Sequence, residues 1–271
     1  MRLLYPSNPL HRNEPDELYA EEYAAALRLG FEVSLFPFEE FLADSFRVRP
    51  SLPPGQPVLY RGWMLTSLQY AGLHDEVVAL ESSMLTSPEQ YERCHYLPKW
   101  YPQLQQFTPE THFFQESDDV AARLRELSWS ACFLKDYVKS LSVGDGSMVR
   151  NLAKIPEMIA KMKLYRGEIE GGLCARRIED FNPETEERYF VFGGRPFSRD
   201  DLIPEVVRVA ASRINSPFFT VDTVLRRDGI TRIIELGDGQ VSDRKKWSAV
   251  QLLSVFQTFN LSQRVSTHPD I

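Results

Sequence analysis

Asp222 and Glu235 stand on what the pattern FFTVDTVLRRDGITRIIELGDGQVSD predicts to be consecutive strands joined by an Arg-Asp-Gly turn. Antiparallel pairing would bring both carboxylates to one end or face of a sheet. Each lies in an apolar run, where an unpaired charge is costly, so a cation or charged partner is expected to offset desolvation. Asp238, in the turn just beyond Glu235, can bring a third oxygen close. Hard carboxylate oxygens with few nitrogen or sulfur donors nearby favour Mg²⁺ or Mn²⁺ over Zn²⁺. The same residues are equally accounted for if Asp222 and Glu235 pair with Arg226, Arg227 or Arg232 on the hairpin surface.

A second group is FLKDYVKSLSVGDGSM, an apolar strand carrying Lys135 and Lys139 that runs into a loop with Gly144 and Gly146. Lysines two strand periods apart share a face, and small glycines let backbone amides approach an anion, so the segment can hold a polyphosphate. An exposed sheet edge guarded by solvated lysines fits the pattern too. Neither GxxxxGK[ST] nor GxGxxG occurs, which disfavours P-loop and simple dinucleotide-binding readings. In RRIEDFNPETEERYFVFGGRPF, Glu179, Asp180 and Glu187 could accept from an amino group or a sugar diol, and Arg188 could fork onto a phosphate oxygen. The alternative is an acidic loop that solvates a hairpin.

The elements that must position these residues follow from periodicity. A strand at the start, a helix ending at Gly30, and further strands near residues 31–38 and 57–64 predict a small βαβ lobe. Thr86 or Ser87 should cap a helix beginning at Pro88 and broken at Pro98 and Pro102. Strands are expected at 111–115 and 131–138 around a helix, then a helix over 155–163, an extended run over 177–181, a polar turn, and a hairpin turning at Gly193-Gly194. A helix, the acid-bearing hairpin and a last helix from about 245 to 260 complete an α/β chain whose lobes have α+β character.

At 271 residues, 43% of them hydrophobic, the chain can bury a sizeable core. A net charge of −7 gives no general attraction to nucleic acid or anionic lipid, so neither is an expected partner. The N-terminal apolar run is too short for a signal peptide, and no segment reaches the roughly 20 apolar residues of a membrane span. Cys94, Cys132 and Cys174 form no metal or disulfide pattern, and a cytoplasmic location is the expectation. His95 and His112 lack partners at metal spacing, and Tyr96, Trp100 and Tyr101 read as packing. Arg61 ends the third strand, where open α/β sheets bind ligands, or else stacks on Trp63 or Tyr60 at the surface.

Taken in order, the segments resemble the ATP-grasp superfamily, and ELGDGQ with the lysine pair looks most like its small bacterial and phage-associated clade. The resemblance implies a pre-ATP-grasp lobe over residues 1–85, a linker and central lobe over 86–180, and a C-terminal lobe over 181–271, the last two clamping ATP. It implies that Lys135 and residues 140–147 cover the phosphates and that residues 178–181, ending at Phe181, hold adenine, with Glu187 as a ribose or adenine-side ligand and Arg188 on a phosphate. Asp222 and Glu235 match the two magnesium-binding acids. The third ligand of the family, an Asn two residues after the Glu, is Gly237 here, with Asp238 next. Lys99 stands where the family often has a linker lysine, and Arg226 or Arg244 could hold the acceptor. The implied activity is ligation of a small-molecule or peptide carboxylate to an amine through an acylphosphate, with ADP released. A small-molecule kinase and a nucleotide-binding module with little turnover are the alternatives, and a homodimer is compatible with either.

Overall fold

The structure, a computed structural model, describes residues 1–138 and 147–265. These form two compact units, one of Met1–Glu92, Arg188–Val221 and Gly237–Ile271, the other of Arg93–Glu187 and Asp222–Leu236. The expected boundaries near 85 and 180 cut the chain into consecutive segments, whereas the compact units interleave. Lys139, Gly144 and Gly146 lie outside the described residues. Among the described residues no helix is long and apolar enough to cross a membrane.

In the first unit, β1 (Arg2–Pro6), β2 (Glu32–Phe36), β3 (Pro57–Tyr60) and β4 (Ser83–Met84) form a parallel sheet in the order β2-β1-β3-β4. Parallel pairing requires crossovers, supplied by α1 (Ala20–Arg28), α2 (Phe38–Leu42) and α3 (Ser67–Ala79). Cover on both faces explains why every residue of β1, RLLYP, is buried. Gly30 ends α1 with φ of 79°, a conformation that favours glycine.

The next helices are α4 (Pro88–His95), capped by Ser87, whose Oγ accepts from Gln90 N at 3.2 Å, and α5 (Leu97–Leu104). The expected break at Pro102 does not occur. Burial of Leu97, Trp100 and Leu104 holds α5 together despite the donor that Pro102 lacks.

The sheet of the second unit runs β5-β8-β6-β7, with β5 (Thr111–Phe114), β6 (Cys132–Asp136), β7 (Met148–Val149) and β8 (Leu173–Arg176) antiparallel to their neighbours. α6 (Val120–Glu126) and α7 (Ile155–Arg166) belong to the same unit. The extended run expected at 177–181 is displaced: the strand is Leu173–Arg176. Its four residues are all buried because it lies between β5 and β6, and LCAR has no polar alternation to betray it. The expected polar turn at 182–187 is strand as well, part of β9 (Phe181–Phe192). A third sheet has the order β10-β9-β11-β12, with β10 (Arg195–Phe197), β11 (Phe218–Arg226) and β12 (Thr231–Asp238). β9, β11 and β12 each contribute residues to both units. α8 (Glu205–Arg213) precedes β11, and α9 (Ala249–Val265) ends the described chain.

The turn after β12 is clamped within the first unit. Arg61, buried, forks onto Glu22 at 2.8 and 2.9 Å, and its Nη1 donates to the carbonyls of Gly239, Gln240 and Ser242 at 2.5, 3.0 and 3.1 Å. It is therefore neither an open ligand contact nor a surface arginine stacked on an aromatic ring. Asp238 Oδ1 accepts from Gln240 N at 2.9 Å and Nε2 at 3.1 Å, while Oδ2 has no partner among the described residues. Burial pushes the Asp238 carboxyl up to about 7. A Cβ on Gly237 would stand 2.8 Å from Ser242 Oγ and 2.9 Å from Thr220 Oγ1, so any side chain there requires these hydroxyls to shift.

Replacing Arg61 with Met would leave Glu22 buried without its partner and should cost about 3–5 kcal/mol in urea-unfolding stability at neutral pH. For Asp238 the native pKa lies above the ordinary unfolded value, so the folded state holds an extra proton between about pH 4 and 7. Its contribution to stability is therefore full below pH 4 and is lost as pH rises to 7. Asp238→Asn should remove that slope, and its stability difference from the parent should grow more favourable from pH 5 to pH 8 in parallel unfolding curves.

Candidate functional site

Strand alternation builds the site in the second unit. Leu134 and Ala175, paired across β6 and β8, point into an apolar core with Leu124, Ile155 and Met162. Their neighbours Phe133, Lys135 and Arg176 belong to the opposite face, Phe133 being the cross-strand partner of Arg176. That face lines a cleft of about 320 Å³. Pro109, Met148, Ile178, Phe181 and Ile234 add further apolar wall, and Glu186 and Glu235 add carboxylates.

Lys135 is 4% exposed. Its Nζ donates to Val138 O at 3.1 Å and lies 3.8 Å from Glu235 Oε1, whose side chain is 43% exposed. An ammonium has three donors, so Lys135 keeps capacity for a ligand. Arg176 donates Nη1 to Ile234 O at 2.6 Å and Nη2 to Thr108 Oγ1, whereas its buried Nε has no partner among the described residues. Burial lowers its pKa to about 10, which still leaves it charged at neutral pH. Two enclosed cations on one wall attract an anion strongly because little water screens them.

The other expected residues are distributed differently. Glu179 lines the cleft, but its carboxylate is committed to Arg232 Nε and Nη2 at 2.9 and 2.8 Å, with Arg226 Nη1 at 3.6 Å. It anchors its segment and is not free to receive a ligand. Asp180 is exposed, pairs with Arg227 at 3.1 Å and does not line the cleft. Phe181 does line it. Glu187 does not, and Glu186 takes that place because neighbours on β9 point to opposite faces.

Arg188 belongs to the first unit, where its Nη1 donates to Asp243 Oδ1 and O, each at 2.9 Å. Arg244, in the same unit, donates to Glu21 at 2.5 Å and to Trp247 O at 3.3 Å. Arg226 is bonded through Nε to both oxygens of Asp228 at 2.9 Å and, like the exposed Lys99 on α5, does not line the cleft. Asp222, 1% exposed, lies on β11 in the second unit.

Of the three acids expected to hold a metal, Asp222 and Glu235 belong to the second unit and Asp238 to the first. Asp238 is enclosed in the first unit's turn, and among the described residues no three His, Cys, Asp or Glu side chains form a metal-holding group. Sequence reasoning missed Arg176 and Glu186. The first sits in the unrecognised strand β8, and the second would have followed from extending β9 back to Phe181 and counting in twos.

The family model of the ATP-grasp domain, R2K clade family 3, matches residues 102–257. No curated protein matches the chain. Among solved structures, the fold is similar to a RimK domain ATP-grasp protein from Sphaerobacter thermophilus, at 13% identity and TM-score 0.61 over 94% of this chain and 98% of that one. It is also similar to D-alanine-D-alanine ligase from Bacillus anthracis complexed with ATP, at 13% identity and TM-score 0.62 over 98% and 99% of the two chains. A third likeness is the ATP-grasp ligase PsnB with a phosphomimetic precursor variant, Mg and ADP, at 12% identity and TM-score 0.60 over 96% and 98%. With the family model covering more than half of its length, and with an α/β architecture shared with these structures from end to end, the chain belongs to the ATP-grasp domain family, R2K clade family 3.

Proposed function

We propose that this chain is an ATP-dependent ligase that binds Mg-ATP in the cleft of its second unit and activates a carboxylate as an acylphosphate. An amine or related nucleophile then displaces the phosphate, and ADP is released. The observation that carries the reading is the enclosed pair Lys135 and Arg176 beside a slot walled by Phe133, Met148, Ile178, Phe181 and Ile234. An aromatic base is held by such apolar walls, and a phosphate tail answers the two cations. The backbone N–H and C=O of Ile178 take no partner among the described residues and suit the polar edge of a base. Glu186 suits the ribose hydroxyls.

Lys135, with the unpartnered Nε of Arg176, would neutralise charge on the phosphates, which is the main work a protein does in phosphoryl transfer. Glu235 at the cleft and Asp222 on the adjacent strand fit Mg²⁺, or Mn²⁺, better than a fully protein-ligated ion. Magnesium keeps waters and phosphate oxygens and asks one or two carboxylates of the protein. It would supply charge neutralisation when bound. In this reading Lys139, Gly144 and Gly146 cover the phosphates, the segments 1–85, 86–180 and 181–271 act as the three lobes of the enzyme, and the acceptor carboxylate and amine are small molecules or peptides. Three buried cysteines, none of them in a disulfide among the described residues, suit the reducing cytoplasm proposed for it.

Lys135→Ala should lower ATP-dependent turnover by about 10²–10³ with an unchanged unfolding curve, and full activity in that variant would sink the assignment. In a calorimetric titration Glu235→Gln should weaken Mg-ATP more than metal-free ATP. An equal loss for both would remove Glu235 from the metal. ADP release that requires an amine-bearing second substrate separates the ligase from a kinase on the same fold.

A further inference from the structure

At the carboxyl ends of β1 and β2, in the first unit, Arg12, Arg47 and Arg49 line one small depression with Leu35, Pro37 and Glu40. Open α/β sheets bind ligands at such strand ends. Glu40 is the counter-charge, and it pairs with Arg12. Arg47 and Arg49 make no side-chain hydrogen bond or ion pair with any described residue. Their backbone is nevertheless rigidly seated. Leu35 and Arg49 exchange N–H···O bonds of 2.7 and 2.8 Å, and the Phe46 ring lies 5.7 Å from Phe36 and 6.0 Å from Phe41. With Phe46 and Val48 packed against the core, alternation turns Arg47 and Arg49 together to the other side.

The loop carrying Arg12 is fixed too, by Asn8 N to Glu14 O and Glu14 N to His11 O, both 2.8 Å. Three guanidinium groups line the depression against one carboxylate, an excess of two positive charges in a chain whose net charge is −7. Holding like charges together is unfavourable unless an anion joins them. The space, about 30 Å³, admits a group of a few oxygens and not a nucleotide. Planar guanidinium forks match the oxygens of a phosphoryl group, which carries close to two negative charges at neutral pH.

We infer that Arg12, Arg47 and Arg49 form a binding site for a phosphoryl group or free phosphate, separate from the nucleotide cleft and independent of the function proposed for it. The test is titration of inorganic phosphate into the nucleotide-free full chain, with sodium chloride at matched ionic strength as the control and melting temperature and calorimetry as readouts. The parent should bind phosphate saturably, Arg47→Ala/Arg49→Ala at least tenfold more weakly, and Lys135→Ala like the parent. Arg47→Lys/Arg49→Lys, which keeps charge and loses the fork, should fall between and serves if the alanine pair is unstable. A parent response no larger than that of chloride, a double variant that binds like the parent, or loss of phosphate binding in Lys135→Ala would each overturn the site. Only the last would point to phosphate entering the nucleotide cleft, whose own occupancy is read separately with Mg-ATP.

Discussion

Arg232 sets the geometry of the second unit. Its guanidinium grips Glu179 with two hydrogen bonds and donates to Gln106 O at 2.8 Å and Thr108 O at 2.6 Å, so one planar group joins β12, the segment after β8 and the segment before β5. Arg176 repeats the connection from β8 to Thr108 and to Ile234 O on β12. A weakly exposed cation must satisfy its donors or lose stability, and here they end on the Glu179 carboxylate, on Thr108 Oγ1 and on the backbone carbonyls of Gln106, Thr108 and Ile234. The walls of the cleft are therefore held by charge-assisted bonds and not only by apolar contact, which suits a site that must keep its shape around a charged ligand.

The first unit applies the same constraint to a different end. Arg61 gathers three carbonyls of the turn that follows β12, and Gly237 and Gly239 allow that turn to pass close to Thr220, Ser242 and the Phe218 ring. Gly237 leaves room for the hydroxyls of Thr220 and Ser242 beside its backbone. Asp238, the acid beside it, serves the turn through Gln240.

Electrostatics divides the acidic residues into classes. Glu235 stays half exposed at the cleft, 3.8 Å from Lys135 Nζ. Asp238 is enclosed with one oxygen unpartnered, and burial raises its pKa toward neutrality. Glu179 and Asp228 are taken up by arginines. Carboxylates that look alike along a sequence acquire separate roles because solvent exposure and partner geometry fix the cost of charging each one.

Much of the fold was legible in the chain. Amphipathic and alternating runs marked β1, β2, α1, β6, β11 and β12, and the turn residues Gly30, Gly193, Gly194 and Gly229 adopt the positive φ their type permits. Lys135 and Glu235 could be nominated for the site because local composition already combined an apolar strand with a charge, and Phe181 entered only through the family resemblance. β8 could not be read, since a central strand four residues long and buried on both faces carries no period. Arg176 is hidden with it, and Glu186 is legible only once β9 is known to start at Phe181, because that start sets which alternate residues face the cleft. Local sequence determined where strands and turns form and which charges they bear. Tertiary structure decided which charges are buried, which are neutralised by an arginine from a distant segment, and which face the cleft, because desolvation and pairing depend on neighbours that linear order does not contain.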